Sequence, residues 1–207
     1  MIIFDMDGTL LDSSRSITKS INFVRSKLGL RAFSVQEVVK LINEPDQDLP
    51  KLFYEDKRPY SECRAIFEEH YIHNCIIDID IFDGVKDMLK TLSNKYQMGV
   101  LTNAYGNFAR KMLKHLKIDH YFKEIIGSDD INARKPDPKG IYYFINKYNL
   151  DKKNVFYVGD SLKDEECAKN AGIKYIFVDW GFGEKQNPDL VLTMQNIKEI
   201  ESVLQGL

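Results

Sequence analysis

Short apolar runs that each end in small or polar residues recur along this chain, and they constrain its fold more than any other feature. They occupy residues 2–4, 98–101, 155–158 and 175–178. Segments with helical spacing of apolar residues lie between the later runs. Alternation of buried strands with helices is typical of a doubly wound α/β fold with a parallel sheet. Ligands bind such sheets beyond the carboxyl ends of the strands, where the polar residues of this chain follow each run.

The stretch 14–81 interrupts this alternation. Its apolar residues have helical spacing, beginning with Ile17, Ile21, Val24 and Leu28, and no strand pattern intervenes. We therefore predict a small all-helical cap domain at 14–81, inserted after the first strand. Residues 1–13 and 82–207 are expected to form the α/β core.

Composition excludes several classes of partner. The net charge of −2 over 207 residues provides no strong field for nucleic acid or an anionic membrane. No apolar stretch approaches the length of a membrane span, and the first residues do not resemble a signal peptide. The 3 cysteines include no Cys-x-x-Cys pair, which favours free thiols. We expect a soluble cytoplasmic protein, monomeric or homodimeric.

Two carboxylates, Asp5 and Asp7, directly follow the first strand. One could act as a nucleophile and the other as a general acid and base, and Gly8 permits a tight turn beside them. Alone, this pattern is more often an acidic turn or a helix cap.

Further polar clusters follow in order along the chain. A threonine hydroxyl with neighbouring N–H groups can cradle phosphate, and a lysine offers a compact positive charge. Additional carboxylates near the first pair would be costly without a cation, and Mg²⁺ suits phosphate substrates. Together the clusters predict a Mg²⁺-dependent phosphate site; they are Thr102–Asn103, Lys135, and Asp160 with Asp164.

These residues stand in segments that resemble the motifs of the haloacid dehalogenase-like (HAD) phosphohydrolases. The resemblance covers nearly the whole chain, and phosphoglycolate phosphatases look like the closest subgroup. It implies a Rossmann-like core with a helical cap. The matching segments are Asp5-Met6-Asp7-Gly8-Thr9-Leu10, Leu101-Thr102-Asn103, Lys135-Pro136, and Gly159-Asp160-Ser161 through Asp164.

The resemblance also implies a role for each residue. Asp5 would attack phosphorus and form an aspartyl phosphate, while Asp7 would protonate the leaving oxygen and later activate water. The phosphoryl group would be gripped by Thr102, the Asn103 amide and Lys135. Mg²⁺ would be held by Asp5, the Asp7 carbonyl and Asp160, with Asp164 acting through a water or a hydrogen bond.

Substrate selection is expected to depend on the cap, because the motifs handle only the phosphate. Arg15, early in the first cap helix, is a candidate to meet a substrate carboxylate, and a solvated surface arginine is the alternative. The expected partner is a small phosphorylated metabolite, with phosphoglycolate as the leading candidate.

Other readings remain open. A phosphomutase such as β-phosphoglucomutase shares the Asp5 and Asp7 chemistry, but such enzymes carry a histidine soon after the first motif, and 13–16 contains none. A pyrophosphatase, a nucleotidase or a non-catalytic binding protein on the same scaffold are further alternatives. His70 and His73 have a spacing that could suit a metal, but we interpret them as packing or surface residues.

Overall fold

The structure is a computed structural model that describes residues 1–43, 48–183, 190–193 and 200. The strands are β1 Ile2–Phe4, β2 Leu11–Asp12, β3 Asp80–Ile81, β4 Met98–Leu101, β5 Ile125–Ile126, β6 Phe156–Gly159, β7 Lys174–Val178 and β8 Leu190–Leu192. The helices are α1 Ser14–Lys27, α2 Val35–Asn43, α3 Leu49–Tyr54, α4 Tyr60–Asn74, α5 Val85–Ser93, α6 Gly106–His115, α7 Ser128–Ile131, α8 Lys139–Lys147 and α9 Leu162–Ala171. Short 3₁₀ helices lie at Asp119–Tyr121 and Lys152–Asn154. The α/β fold with a helical insert after the first strand is confirmed.

The main sheet has 6 strands in the order β5-β4-β1-β6-β7-β8, and its pairs are parallel. β1 is central, because Ile2 pairs with Met98 on one side and with Phe156 on the other. Its side chains are fully buried, which explains why its sequence is a continuous apolar run.

The two edge strands of this sheet, β5 and β8, were not predicted from the apolar runs. β5 has only 2 residues and β8 only 3, so neither carries a recognisable pattern. A separate antiparallel ladder joins Leu11 to Ile81, next to a hydrogen bond from the Phe82 N–H to the Leu10 carbonyl (3.3 Å).

The chain divides into two compact units, one formed by Met1–Asp12 with Asp80–Leu207 and the other by Ser13–Ile79. In the first unit, α8 buries Ile141, Phe144 and Ile145 in a core shared with Tyr157 and Cys167. In the second unit, α1 packs against the other helices around Ile21, Val24, Val38, Phe53 and Cys63. All three cysteines are free, as predicted, and all three are buried.

His70 has a packing role in the helical insert. Its ring stacks on Phe23 at a centroid distance of 4.1 Å, and its Nδ1 shares a hydrogen bond of 2.9 Å with the Ser20 hydroxyl. Burial lowers the pKa of His70 below its usual value. The interpretation of His70 as a packing residue is confirmed, while His73 is exposed.

No helix in the described ranges is both long and apolar enough to cross a membrane.

Arg25 connects the elements of the insert, although its side chain is only 1% exposed. It donates hydrogen bonds to the backbone carbonyls of Arg31 (2.6 Å) and Phe53, and its guanidinium lies 3.8 Å from the centroid of the Phe33 ring. It also contacts the half-exposed Glu55 carboxylate at 3.3 Å. The buried charge is thus met by several acceptors from the segments that follow α1.

We expect Arg25→Met to destabilise the protein by roughly 3 kcal/mol, because it leaves the buried Phe53 carbonyl and the partly buried Arg31 carbonyl without their donor. Urea unfolding followed by circular dichroism measures the change. Arg64→Met is the matched control, because Arg64 is a half-exposed helix residue paired with Glu68 (2.6 Å), and such a pair contributes about 0.5 kcal/mol or less. Equal stability of the two variants would contradict the assignment.

Candidate active site

The order of the strands brings the predicted clusters to one edge of the sheet. Asp5 follows β1, Thr102 follows β4 and Asp160 follows β6, and these three strands are neighbours. Hydrogen bonds continue the sheet as far as the site, from the Asp5 N–H to the Val158 carbonyl (2.8 Å) and from the Thr102 N–H to the Ile126 carbonyl (3.0 Å). The backbone at Asp5 and Thr102 is therefore hydrogen-bonded as a continuation of the sheet.

Lys135 links two of the carboxylates. Its Nζ lies 2.5 Å from Asp5 Oδ1 and 2.5 Å from Asp164 Oδ1. All three side chains are buried, with at most 9% exposure, so the contacts are shielded from water. Charge-assisted hydrogen bonds of this length, away from solvent, fix the position of the lysine.

The side chain of Asn103 holds the backbone of Lys135. Its Oδ1 accepts a hydrogen bond from the Lys135 N–H (2.7 Å), and its Nδ2 donates to the Lys135 carbonyl (3.2 Å). Arg134 adds a hydrogen bond to the Asn103 carbonyl (3.3 Å). The loop that carries Lys135 is thus hydrogen-bonded to the end of β4, a contact that was not predicted from the sequence.

Tyr157 supports both sides of this arrangement from within the core. Its hydroxyl donates to the Leu101 carbonyl (2.9 Å), directly before Thr102, and its ring centroid lies 5.6 Å from Lys135 Nζ. The only sequence signal for this residue was its position on a buried strand.

The carboxylates strongly influence one another. Burial raises the pKa of Asp5 well above its usual value, and the charges of Asp164 and Asp160 raise it further, against the effect of Lys135. Burial and the charge of Asp164 raise the pKa of Asp160 to about 6. Burial alone would lower the pKa of Lys135, but the attraction of Asp164 and Asp5 raises it above its usual value, which keeps the lysine charged.

The same carboxylates suit a hard divalent cation. One oxygen of each of Asp5, Asp160 and Asp164 can be chosen so that all lie within 4.8 Å of one another. Lys135 neutralises one charge of this buried group, so a cation that binds oxygen ligands would offset the remaining repulsion. Within the described ranges, the Asp7 carboxylate is not part of this group.

Several donors orient the Asp160 carboxylate. Its Oδ1 accepts a hydrogen bond from the Thr9 hydroxyl (3.2 Å), and its Oδ2 accepts from the backbone N–H groups of Phe182 (2.8 Å) and Gly183 (3.2 Å). Gly8 has φ +86, and a Cβ atom there would collide with this carboxylate. The turn at Gly8 was predicted from the sequence, whereas the Phe182 and Gly183 donors were not.

Asp164 has a structural task in addition to its contact with Lys135. It is the third residue of α9, and its Oδ2 accepts hydrogen bonds from the Ser161 N–H (3.1 Å) and the Ser161 hydroxyl (2.5 Å). This is a capping box, which stabilises the start of a helix. The helix therefore holds Asp164 in place against Lys135.

Asp7, Thr102 and Arg15 are the remaining predicted site residues. Asp7 is half-buried in the turn after β1, and the Thr102 hydroxyl accepts a hydrogen bond from the Ala104 N–H (3.1 Å). Arg15 is exposed on α1, within the helical insert. There a hydrogen bond from Lys19 holds the pKa of Asp78 below its usual value, and the charge of Arg15 contributes to the same effect.

Comparison with known proteins identifies the family of this chain. The family model described as haloacid dehalogenase-like hydrolase matches residues 2–178. The chain is similar to the phosphoglycolate phosphatase of Aquifex aeolicus, with 28% identity over 93% of this chain and 92% of that protein. It is similar to the phosphoglycolate phosphatase of Yersinia pestis, with 30% identity over 92% and 88% of the two chains.

A solved structure shows the same fold. The haloacid dehalogenase-like family hydrolase from Streptococcus pneumoniae superposes with a TM-score of 0.85 and 26% identity, over 98% of this chain and 97% of that one. The chain belongs to the haloacid dehalogenase-like hydrolase family, which confirms the family resemblance identified from its motifs.

Proposed function

We propose that this protein is a Mg²⁺-dependent phosphatase that hydrolyses a small phosphate monoester through an aspartyl-phosphate intermediate. The observation that carries the proposal is the contact of buried Lys135 with Asp5 and Asp164, beside Asp160. Such a site places a carboxylate nucleophile among groups that can neutralise a phosphoryl group.

Asp5 and Asp7 would share the chemistry. A carboxylate oxygen of Asp5 attacks phosphorus, the ester P–O bond breaks, and Asp7 gives its proton to the leaving oxygen. Asp7 then takes a proton from a water that attacks the same phosphorus, and the bond to Asp5 breaks to release phosphate. Both carboxylates return to their starting states.

The other predicted residues would bind the phosphoryl group and the cation. The Thr102 hydroxyl, the Asn103 backbone amide and Lys135 would hold the phosphoryl oxygens. The cation would be held by Asp5, Asp160 and the Asp7 carbonyl, with Asp164 acting through a water or a hydrogen bond. When bound, Mg²⁺ would supply the positive charge that keeps the buried carboxylates ionised.

Phosphoglycolate is the leading candidate substrate. The names of the Aquifex aeolicus and Yersinia pestis relatives support this choice, at 28% and 30% identity. Arg15 remains a predicted contact for a substrate carboxylate. A panel of phosphoglycolate, nucleoside monophosphates, pyrophosphate and sugar phosphates tests the choice. The highest kcat/KM for phosphoglycolate would support it, and interconversion of sugar phosphates without phosphate release would indicate a mutase instead.

Removal of the metal tests the dependence on a cation. We expect EDTA to abolish phosphate release from an aryl phosphate and Mg²⁺ to restore it. We also expect Mg²⁺ to raise the melting temperature, because a cation that binds the folded state offsets the repulsion among Asp5, Asp160 and Asp164. Undiminished release in EDTA would contradict the proposal.

A further inference from the structure

Residues 180–183, which begin two residues after the end of β7, form a short stretch that the motifs do not include. Its backbone makes two of the three hydrogen bonds to Asp160 described above, from the Phe182 and Gly183 N–H groups. The third comes from Thr9, whose side chain is fully buried. The carboxylate is thus held from two separate parts of the chain.

The two parts are also joined to each other. The Trp180 indole N–H donates to the Thr9 carbonyl (3.1 Å), across nearly the whole length of the sequence. The Phe182 ring lies edge-on to the Phe82 ring, at a centroid distance of 6.1 Å. These contacts fix residues 180–183 at the Trp180 indole and at the Phe182 ring.

The close approach leaves no room for a side chain at Gly181. A Cβ atom there would collide with the Asp160 Cβ and would lie 2.5 Å from the Gly8 carbonyl. The backbone of the stretch therefore packs directly on the turn after β1 and on Asp160. This packing is needed for its N–H groups to reach the carboxylate.

We infer that residues 180–183, together with Thr9, are a positioning element that orients the Asp160 carboxylate for binding of the divalent cation. The inference rests on the proposed function, in which Asp160 is a ligand of Mg²⁺. Hydrogen bonds to a metal-binding carboxylate restrict its rotation, and the loss of such partners typically lowers metal affinity by about 10-fold to 100-fold. The element acts on the cation through Asp160.

Isothermal titration calorimetry with Mg²⁺ alone, in the absence of substrate, tests the inference. We expect Thr9→Val, which keeps the shape but removes the hydroxyl, to raise the Kd for Mg²⁺ by about 10-fold or more. Thr9→Ser restores the hydroxyl and should recover most of the affinity. Gly181→Ala, which must displace the stretch, should weaken binding independently of Thr9.

The outcomes separate the inference from the proposed function. Binding of Mg²⁺ by the unmodified protein, with an unchanged Kd in both Thr9→Val and Gly181→Ala, would overturn only the inference. No binding by the unmodified protein would overturn the Mg²⁺-dependent function as well. Equal weakening in Thr9→Val and Thr9→Ser would overturn the role of the hydroxyl, and circular dichroism confirms that each variant is folded.

Discussion

Asp5→Asn is expected to reduce phosphate release from an aryl phosphate by at least about 10³-fold, because an amide cannot replace the carboxylate as nucleophile. The variant should remain folded. Asparagine has nearly the shape of aspartate, and its neutral side chain removes the repulsion with Asp164 and Asp160. Burial and the charges of these two carboxylates raise the pKa of Asp5. A loss of activity without a loss of stability would identify a chemical role.

Asp87→Asn is the matched control, since it makes the same change on the exposed face of α5. Phosphate release is measured for both variants at saturating Mg²⁺, and stability by thermal melting. Trapping of a phosphorylated protein after a short reaction, in the unmodified chain but not in Asp5→Asn, would add direct support. Full activity in Asp5→Asn would rule out Asp5 as the nucleophile.

Lys135→Met is expected to cost about 3–5 kcal/mol of unfolding free energy in buffer with EDTA, because it leaves buried carboxylates without their cationic partner. The side chain of Lys135 is only 5% exposed, and it contacts both Asp5 and Asp164 at 2.5 Å. We also expect phosphate release to fall by about 10²–10³-fold, the usual effect of removing a group that stabilises transition-state charge. Urea unfolding and a phosphate assay measure the two effects.

Lys139→Met is the matched control, because it removes an exposed lysine from the start of α8. The free energy of unfolding of this variant should change by about 0.5 kcal/mol or less. The double variant Lys135→Met with Asp5→Asn should recover part of the lost stability, because one of the uncompensated charges is then gone. If Lys135→Met were as stable as the Lys139→Met control, the buried contacts would not have the importance assigned to them.

The parts of the fold that the sequence made predictable are those with a repeating pattern. The central strands are continuous apolar runs, and α8 carries its buried residues Ile141, Phe144 and Ile145 at helical spacing. The edge strands were missed, because β5 has 2 residues and pairs with only one neighbour, so a short apolar stretch is all that marks it. A strand that is buried on both faces needs a continuous apolar run, which can be recognised in the sequence. Pairing at the edge of a sheet leaves no such pattern.

The same distinction applies to the site. Residues whose chemistry is visible in their type, such as Asp5, Lys135 and Asp160, could be proposed from their order along the chain. The groups that hold these side chains in place could not be predicted. The Phe182 and Gly183 contacts, for example, use backbone N–H groups that every residue except proline possesses. Asn103 was predicted as a site residue, but the hydrogen bonds between its side chain and the Lys135 backbone depend on how two loops meet.

The central position of β1 has a consequence for how the chain acquires its activity. Ile2 pairs with both Met98 and Phe156, so the strand before Asp5 has both of its neighbours only once the chain has extended beyond Phe156. Long-range pairing of this kind is slow, because the entropy of loop closure is lost before the contacts form. A chain still emerging from the ribosome holds Asp5 and Asp7 long before it holds Asp160. We therefore expect nascent or truncated chains that lack β6 to be inactive, because Asp5 then has no Asp160 beside it.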